Sequence, residues 1–147
     1  DPKVFSNRNA YALRVIDLLR SKSINLVCLA GFMRILGKNF IEAFPGKIIN
    51  IHPSLLPAFP GLNVQKRALE HGAKFSGCTV HIVNEEVDGG PIILQSVVPI
   101  NDEDDTQSLS ERILEQEHII YPEAIKLIIE NKVEFSGRRV LRKKKGN

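Results

Sequence analysis

Two short stretches carry side chains suited to acid–base chemistry, and they lie 36 positions apart. Asn50-Ile51-His52 follows a β-branched apolar run, and Asp88-Gly89-Gly90 interrupts two others. A carboxylate near an imidazole favours its charged form and moves its titration toward or above neutrality. An asparagine amide beside such a pair offers a donor to a developing oxyanion. The combination points to acyl or formyl transfer more than to phosphoryl transfer. No serine or cysteine stands in a recognisable nucleophile setting, so direct transfer is favoured over a covalent enzyme intermediate. Each stretch taken alone also has a plainer alternative. Asn50 can close an Asx turn, His52 can cap a strand, and Asp-Gly is a common hairpin turn.

The other polar candidates carry weaker signals. His81 lies on an alternating strand and either lines the site or plays a structural part, the latter being favoured. His71 ends a helix, where it favours the negative dipole end. His118 has apolar neighbours and reads as packing. The acidic run Asp102 to Asp105 lacks the glycine and terminal glutamate of a calcium loop and reads as a solvated lead-in to a helix. Cys28 and Cys78 sit in apolar runs and read as small buried hydrophobes rather than a bridge or a metal pair. No metal is expected.

The elements that must position these groups follow an α/β grammar. Residues 9–20 show helical spacing, and 25–31 (NLVCLAG) suits a strand buried on both faces. A short helix fits 37–44, and KIINI (47–51) is a second buried strand. If so, Asn50 and His52 lie beyond a strand's carboxyl end, where open α/β sheets bind ligands, and alternation turns both to one side. PSLLPAFPG (53–61) excludes regular structure. A helix fits 63–72, and 77–84 pairs antiparallel with 91–100 across EEVDGG. Ser108 and Glu111 form a capping box for a helix to about 131, bent or restarted at Pro122. VEFSGRRVL closes as a hairpin. The expected fold is a mostly parallel twisted sheet with helices on both faces and a C-terminal antiparallel hairpin.

Composition narrows the function classes. The 147 residues fit one domain, with 43% hydrophobic and 25% charged residues, which excludes disorder as a description of the whole. No apolar run reaches the ~18 residues of a membrane span. Tryptophan is absent and aromatics are 6%, which argues against recognition by base stacking. The net charge is +3, but the last ten residues hold six bases and no acid. Setting these aside leaves 14 bases against 17 acids, a body of −3, so 138–147 reads as a basic tail and nucleic acid is not an expected partner. No signal peptide is visible, and the chain reads as cytoplasmic.

AGFMRIL (30–36), NIHPSLLPAFPG (50–61), GCTVHIVNEEVDGGPIILQ (77–95) and LSERILEQEHIIYP (109–122) resemble the phosphoribosylglycinamide formyltransferase family, with a Rossmann-like formyltransferase fold. The likeness runs nearly from residue 5 to residue 135. Relatives acting on initiator methionyl-tRNA typically carry R-W-R-G where this chain has AFPG. Formyltetrahydrofolate deformylases usually carry a second histidine in place of Pro53. Both differences favour the glycinamide ribonucleotide branch.

The resemblance implies transfer of formyl from 10-formyltetrahydrofolate to the amine of glycinamide ribonucleotide, in purine biosynthesis. Asn50, His52 and Asp88 match the family's catalytic trio, stabilising the oxyanion and relaying protons. Met33, Arg34, Ile35 and Leu36 match the segment holding the folate, with Asn50 also in contact, and Arg8 matches a basic residue at the folate tail. Leu29, Phe40, Ile41, Ile48 and Val83 look like lining of the pteridine pocket, although by pattern alone each reads as plain core. Glu117 matches a ribonucleotide contact. Partners are then small molecules, with no nucleic acid or membrane, and a monomer or weak homodimer. The family opens with a strand and a glycine-rich phosphate loop that this sequence lacks, so a single, N-terminally incomplete formyltransferase domain is expected over 1–147. A hydrolase of the same folate and a catalytically dead folate-binding module are the alternatives. An assay with and without the acceptor separates all three.

Overall fold

Apolar runs of strand length alternate here with helix-period segments, and only a sheet with helices against it buries both. The computed structural model describes residues 8–32 and 35–144. The elements are α1 (Arg8–Ser21), β1 (Val27–Leu29), α2 (Lys38–Ala43), β2 (Ile48–His52), α3 (Val64–Glu70), β3 (Phe75–Ile82), β4 (Ile92–Pro99), α4 (Thr106–Ile129), β5 (Val133–Ser136) and β6 (Arg139–Arg142). The six strands form one sheet in the order β1-β2-β3-β4-β6-β5.

The α/β sheet with helices on both faces and a C-terminal hairpin stands as expected, but it is mixed rather than mostly parallel, because β3 inserts antiparallel between β2 and β4. β1–β2 and β4–β6 are parallel, while β2–β3, β3–β4 and β5–β6 are antiparallel. Helices cover both faces. In β2, Ile48 joins Ile16, Phe40 and Phe44 on the α1/α2 side, whereas Ile49 and Ile51 join Leu109, Ile113 and Ala124 on the α4 side. Alternation therefore turns Asn50 and His52 to the side of Ile48.

Helix α4 starts earlier than the Ser108/Glu111 box predicts. Asp105 is its N-cap, accepting from the Ser108 amide at 2.8 Å, while the Ser108 hydroxyl accepts from the Asp105 amide at 3.1 Å. An aspartate is as good a cap as a serine and gains from the dipole, and this start buries Leu109 completely. The acidic run is not merely solvated: Asp104 forms a bidentate pair with Arg112 at 2.7 and 2.8 Å, its side chain 4% exposed. α4 runs through Pro122 as one element. The proline removes the donor for the His118 carbonyl, and His118 is exposed rather than packed, so water can serve that group.

Two further expectations change. β1 is three residues long and half-buried, and Cys28 within it is exposed, because among the described residues this strand pairs on one side only. Cys78 is fully buried. The basic stretch is not all tail: Arg139–Arg142 form β6, Arg138 donates to the Gly89 carbonyl, and Arg142 pairs with Glu123. Among the described residues no helix is long and apolar enough to cross a membrane.

Candidate functional site

The carboxyl ends of β1 and β2 open beneath two loops, the proline-rich 53–61 and the turn carrying Asp88. β2 is β-branched and buried, which fixes its register against β3: Asn50 lies opposite His81, and His52 opposite Thr79. Directly opposed residues share a face, so one polar row forms at the strand ends. Asp88 adopts a positive φ of 51°, a conformation tolerated by aspartate. Gly90 follows with its Cα against the Ile82 carbonyl, an approach that only glycine allows.

His52 is buried and bracketed by acceptors. Its Nε2 donates to the Phe59 carbonyl at 3.0 Å, and its Nδ1 lies 3.5 Å from Asp88 Oδ2. A ring facing acceptors at both nitrogens is the complement of an imidazolium. Asp88 Oδ2 also accepts from the Gly61 amide at 2.8 Å. His81 behaves differently. Its Nδ1 donates to the Ile82 carbonyl at 2.9 Å, and its Nε2 is 3.4 Å from Asn50 Nδ2 and 3.7 Å from Asp88 Oδ1. Burial pushes the His81 pKa down, so the ring is neutral, with Nε2 accepting from Asn50. Asn50 keeps a second amide hydrogen for a ligand, and its Oδ1 is buried with no hydrogen-bond partner among the described residues.

These groups face a cavity of about 760 Å³, within the usual range for a small-molecule site. Leu29, Ile35, Leu36 and Val83 line it, as do Asn50, His52 and Asp88, and Glu117 reaches it from α4. Burial raises the Glu117 carboxyl above its ordinary value, with a smaller opposing effect from His118. Phe40, Ile41 and Ile48 pack in the core between α1, α2 and β2, against which Leu29, Leu36 and Val83 also lie. Their apolar character served packing, which periodicity cannot separate from lining. Met33 and Arg34 lie outside the described residues, as does the side chain of Arg8.

Sequence reasoning passed over the loop that brackets the pair. Thr79 donates to the Ser54 carbonyl at 2.7 Å and accepts from the Leu56 amide at 3.1 Å. Ser54 donates to the Ala58 and Phe59 carbonyls. On the far side, Arg67 donates to the Pro60 carbonyl at 2.6 Å and lies 5.6 Å from the centre of the Phe59 ring, whose other neighbour is the His71 ring. The three prolines announced a rigid loop, but nothing in them announced that its carbonyl and amide would hold His52 and Asp88.

A profile of the formyl transferase family matches residues 1–125. This chain belongs to that family. It is 49% identical over 133 residues to phosphoribosylglycinamide formyltransferase of Haemophilus influenzae, covering 90% of this chain and 63% of that protein. It is also 49% identical over 127 residues to the trifunctional purine biosynthetic protein adenosine-3 of Drosophila melanogaster, covering 86% of this chain and 9% of that one. The chain thus spans under two thirds of the length of these relatives. The crystal structure of glycinamide ribonucleotide transformylase 1 from Symbiobacterium toebii superposes with a TM-score of 0.94 at 51% identity, covering 97% of this chain and 67% of that one. In this formyl transferase fold, the strand-end cavity holds a buried histidine–aspartate pair, a free amide hydrogen and apolar walls. Those parts can polarise a carbonyl and pass a proton.

Proposed function

We propose that this chain carries the transfer site of a phosphoribosylglycinamide formyltransferase, moving formyl from 10-formyltetrahydrofolate to the amine of glycinamide ribonucleotide. The observation that carries this reading is the placing of His52 between Asp88 and the Phe59 carbonyl, at the base of a cavity with an apolar wall. That wall suits the face of a flat heterocycle, and the residues present fit the folate. Leu29, Ile35, Leu36 and Val83 offer contact surface, and Met33, Arg34 and Arg8 are proposed to hold the donor beyond it. Glu117 is proposed to contact the ribonucleotide.

The folate supplies an electrophilic formyl carbon, and the protein supplies its electrostatics. Asn50 presents its unused amide hydrogen to the oxygen on which charge develops. The positive ring of His52, two residues along on the same strand face, adds to that stabilisation. Asp88 pairs with the ring and relays the proton lost by the attacking amine toward the folate nitrogen, whose bond to the formyl carbon breaks as the new bond to the amine forms. His81, kept neutral by burial, fixes the Asn50 amide so that its nitrogen faces the site. Pro53 lines the cavity where deformylases usually carry a second histidine, which favours transfer over hydrolysis.

A formyl-transfer assay on the intact gene product, with and without the ribonucleotide acceptor, tests the reading. Acceptor-dependent loss of the formyl donor is expected, and His52→Ala is expected to lower it by ~10²–10⁴-fold while a folate analogue still binds. Donor turnover independent of the acceptor overturns the transferase reading, and full activity in His52→Ala overturns the assignment of the pair.

A further inference from the structure

His52, Thr79 and Gln95 stand opposite one another across β2, β3 and β4, so a single row of the sheet runs from the acid–base pair to the outer surface. Gln95 is exposed at the end of that row and is not among the residues that line the cavity. Its amide nitrogen nonetheless donates twice, to the Leu56 carbonyl at 2.8 Å and to Thr79 Oγ1 at 3.0 Å. The Thr79 hydroxyl is fully buried and saturated: it accepts from Gln95 and from the Leu56 amide, and it donates to the Ser54 carbonyl. Ser54 in turn holds the Phe59 carbonyl through its own hydroxyl at 3.1 Å, and that carbonyl is what His52 Nε2 faces.

We propose that Gln95 is a positioning residue for formyl transfer, fixing the His52 ring through Thr79 and the backbone of the 53–61 loop. The proposal rests on the reading of His52 and Asp88 as the acid–base pair. Its chemistry is directional. The Gln95 amide has two hydrogens and both are committed, so it braces the Leu56 carbonyl and the Thr79 hydroxyl together, beside the direct bond from the Leu56 amide to Thr79. Phe59 has a positive φ of 49°, a conformation that a bulky residue leaves readily unless its surroundings hold it. Once the tether is lost, the Phe59 carbonyl moves and His52 Nε2 loses its acceptor. The ring is then free to turn from the geometry that faces Asp88. Because Gln95 does not line the cavity, substrate binding should change little.

The test reads formyl transfer and the His52 ring nitrogen resonances in the intact gene product. Gln95→Met keeps the length of the side chain and removes both donors. Gln95→Glu keeps its shape but sets an acceptor against the Leu56 carbonyl. Both are expected to lower kcat by about 10- to 100-fold, as misplacement of a reacting group does, with the KM for the formyl donor nearly unchanged. The His52 Nε2–H resonance should lose its hydrogen-bonded shift in both. If Gln95→Met does not fold, Thr79→Ser and Thr79→Val carry the same test. Serine keeps the hydroxyl and is expected to transfer at least about tenfold faster than valine. Wild-type kcat with an unmoved His52 resonance in folded Gln95→Met, or equal rates in the two Thr79 variants, overturns the proposal. His52→Ala separates the two claims. If it retains transfer, the acid–base reading has failed; if it loses transfer while Gln95→Met remains wild type, the tether alone has failed.

Discussion

At the residue scale, the site depends on two histidines set in different surroundings. His52 faces two acceptors, whereas His81 faces the Ile82 carbonyl at Nδ1 and, at Nε2, the Asn50 amide with Asp88 slightly further away. Burial lowers the His81 pKa, its main cause outweighing the Ile82 carbonyl and Asp88, which act the other way. A lowered folded-state value means that its contribution to stability is present above the ordinary 6.5 and is lost as pH falls through the lowered value. His81→Phe should therefore flatten the melting temperature against pH on the acid side, and thermal melts from about pH 7 to pH 4 check it. Gly90 makes a second prediction. A side chain there is driven into the Ile82 carbonyl, which is backbone and cannot swing aside. Gly90→Ala should cost about 1–3 kcal/mol and displace Asp88, so denaturant midpoint and formyl transfer should fall together.

At the element scale, the N-terminus of α4 is held by side chains that the sequence presents as a mere acidic run. The Arg112 guanidinium, hydrogen-bonded to Asp104, holds that carboxyl well below the usual carboxylate range, with the Asn101 amide assisting. A depressed carboxylate contributes stability above its ordinary value of 3.8, and this is lost as pH falls through the folded-state value. Asp104→Asn should lower the urea midpoint near neutrality, and its deficit against wild type should shrink as pH is lowered toward about 3. A deficit that stays constant across that range would show the charge to be irrelevant. Arg112 also donates to the Pro99 carbonyl, so the same contact joins the end of β4 to the helix that presents Glu117 to the cavity.

For the whole molecule, α4 is the element that spans the sheet. Tyr121 on this helix donates to the Leu29 carbonyl at 2.6 Å, with the Ile49 carbonyl 3.4 Å away, and so binds the helix to the ends of β1 and β2. Leu29 and Asn50 are paired across those strands and both line the cavity. Burial pushes the Tyr121 hydroxyl pKa up, which keeps it a donor throughout the accessible pH range. Tyr121→Phe leaves the ring in place and removes the donor. It should cost about 0.5–1.5 kcal/mol, read from urea unfolding, and should weaken binding of a folate analogue because the Leu29 side of the cavity loosens. Unchanged stability would mean that the helix is held by packing alone.

The sequence by itself determined the α/β class, where along the chain its strands fall, and the strand-end placing of Asn50 and His52. Periodicity, β-branched runs and prolines are local signals, and each acts within a few residues of itself. Its motifs also carried the family resemblance. It did not separate Phe40, Ile41 and Ile48, which pack in the core, from Leu29 and Val83, which pack against that core and also line the cavity, because one apolar pattern serves both ends. Nor did it reveal that His81 meets Asn50, or that Thr79 and Gln95 stand in a row with His52. Those relations depend on cross-strand register and on the path of the 53–61 loop. Register is set by the packing of both sheet faces at once, and a shift of one residue would turn every one of these side chains to the other side. Only the tertiary structure therefore decided which polar groups meet.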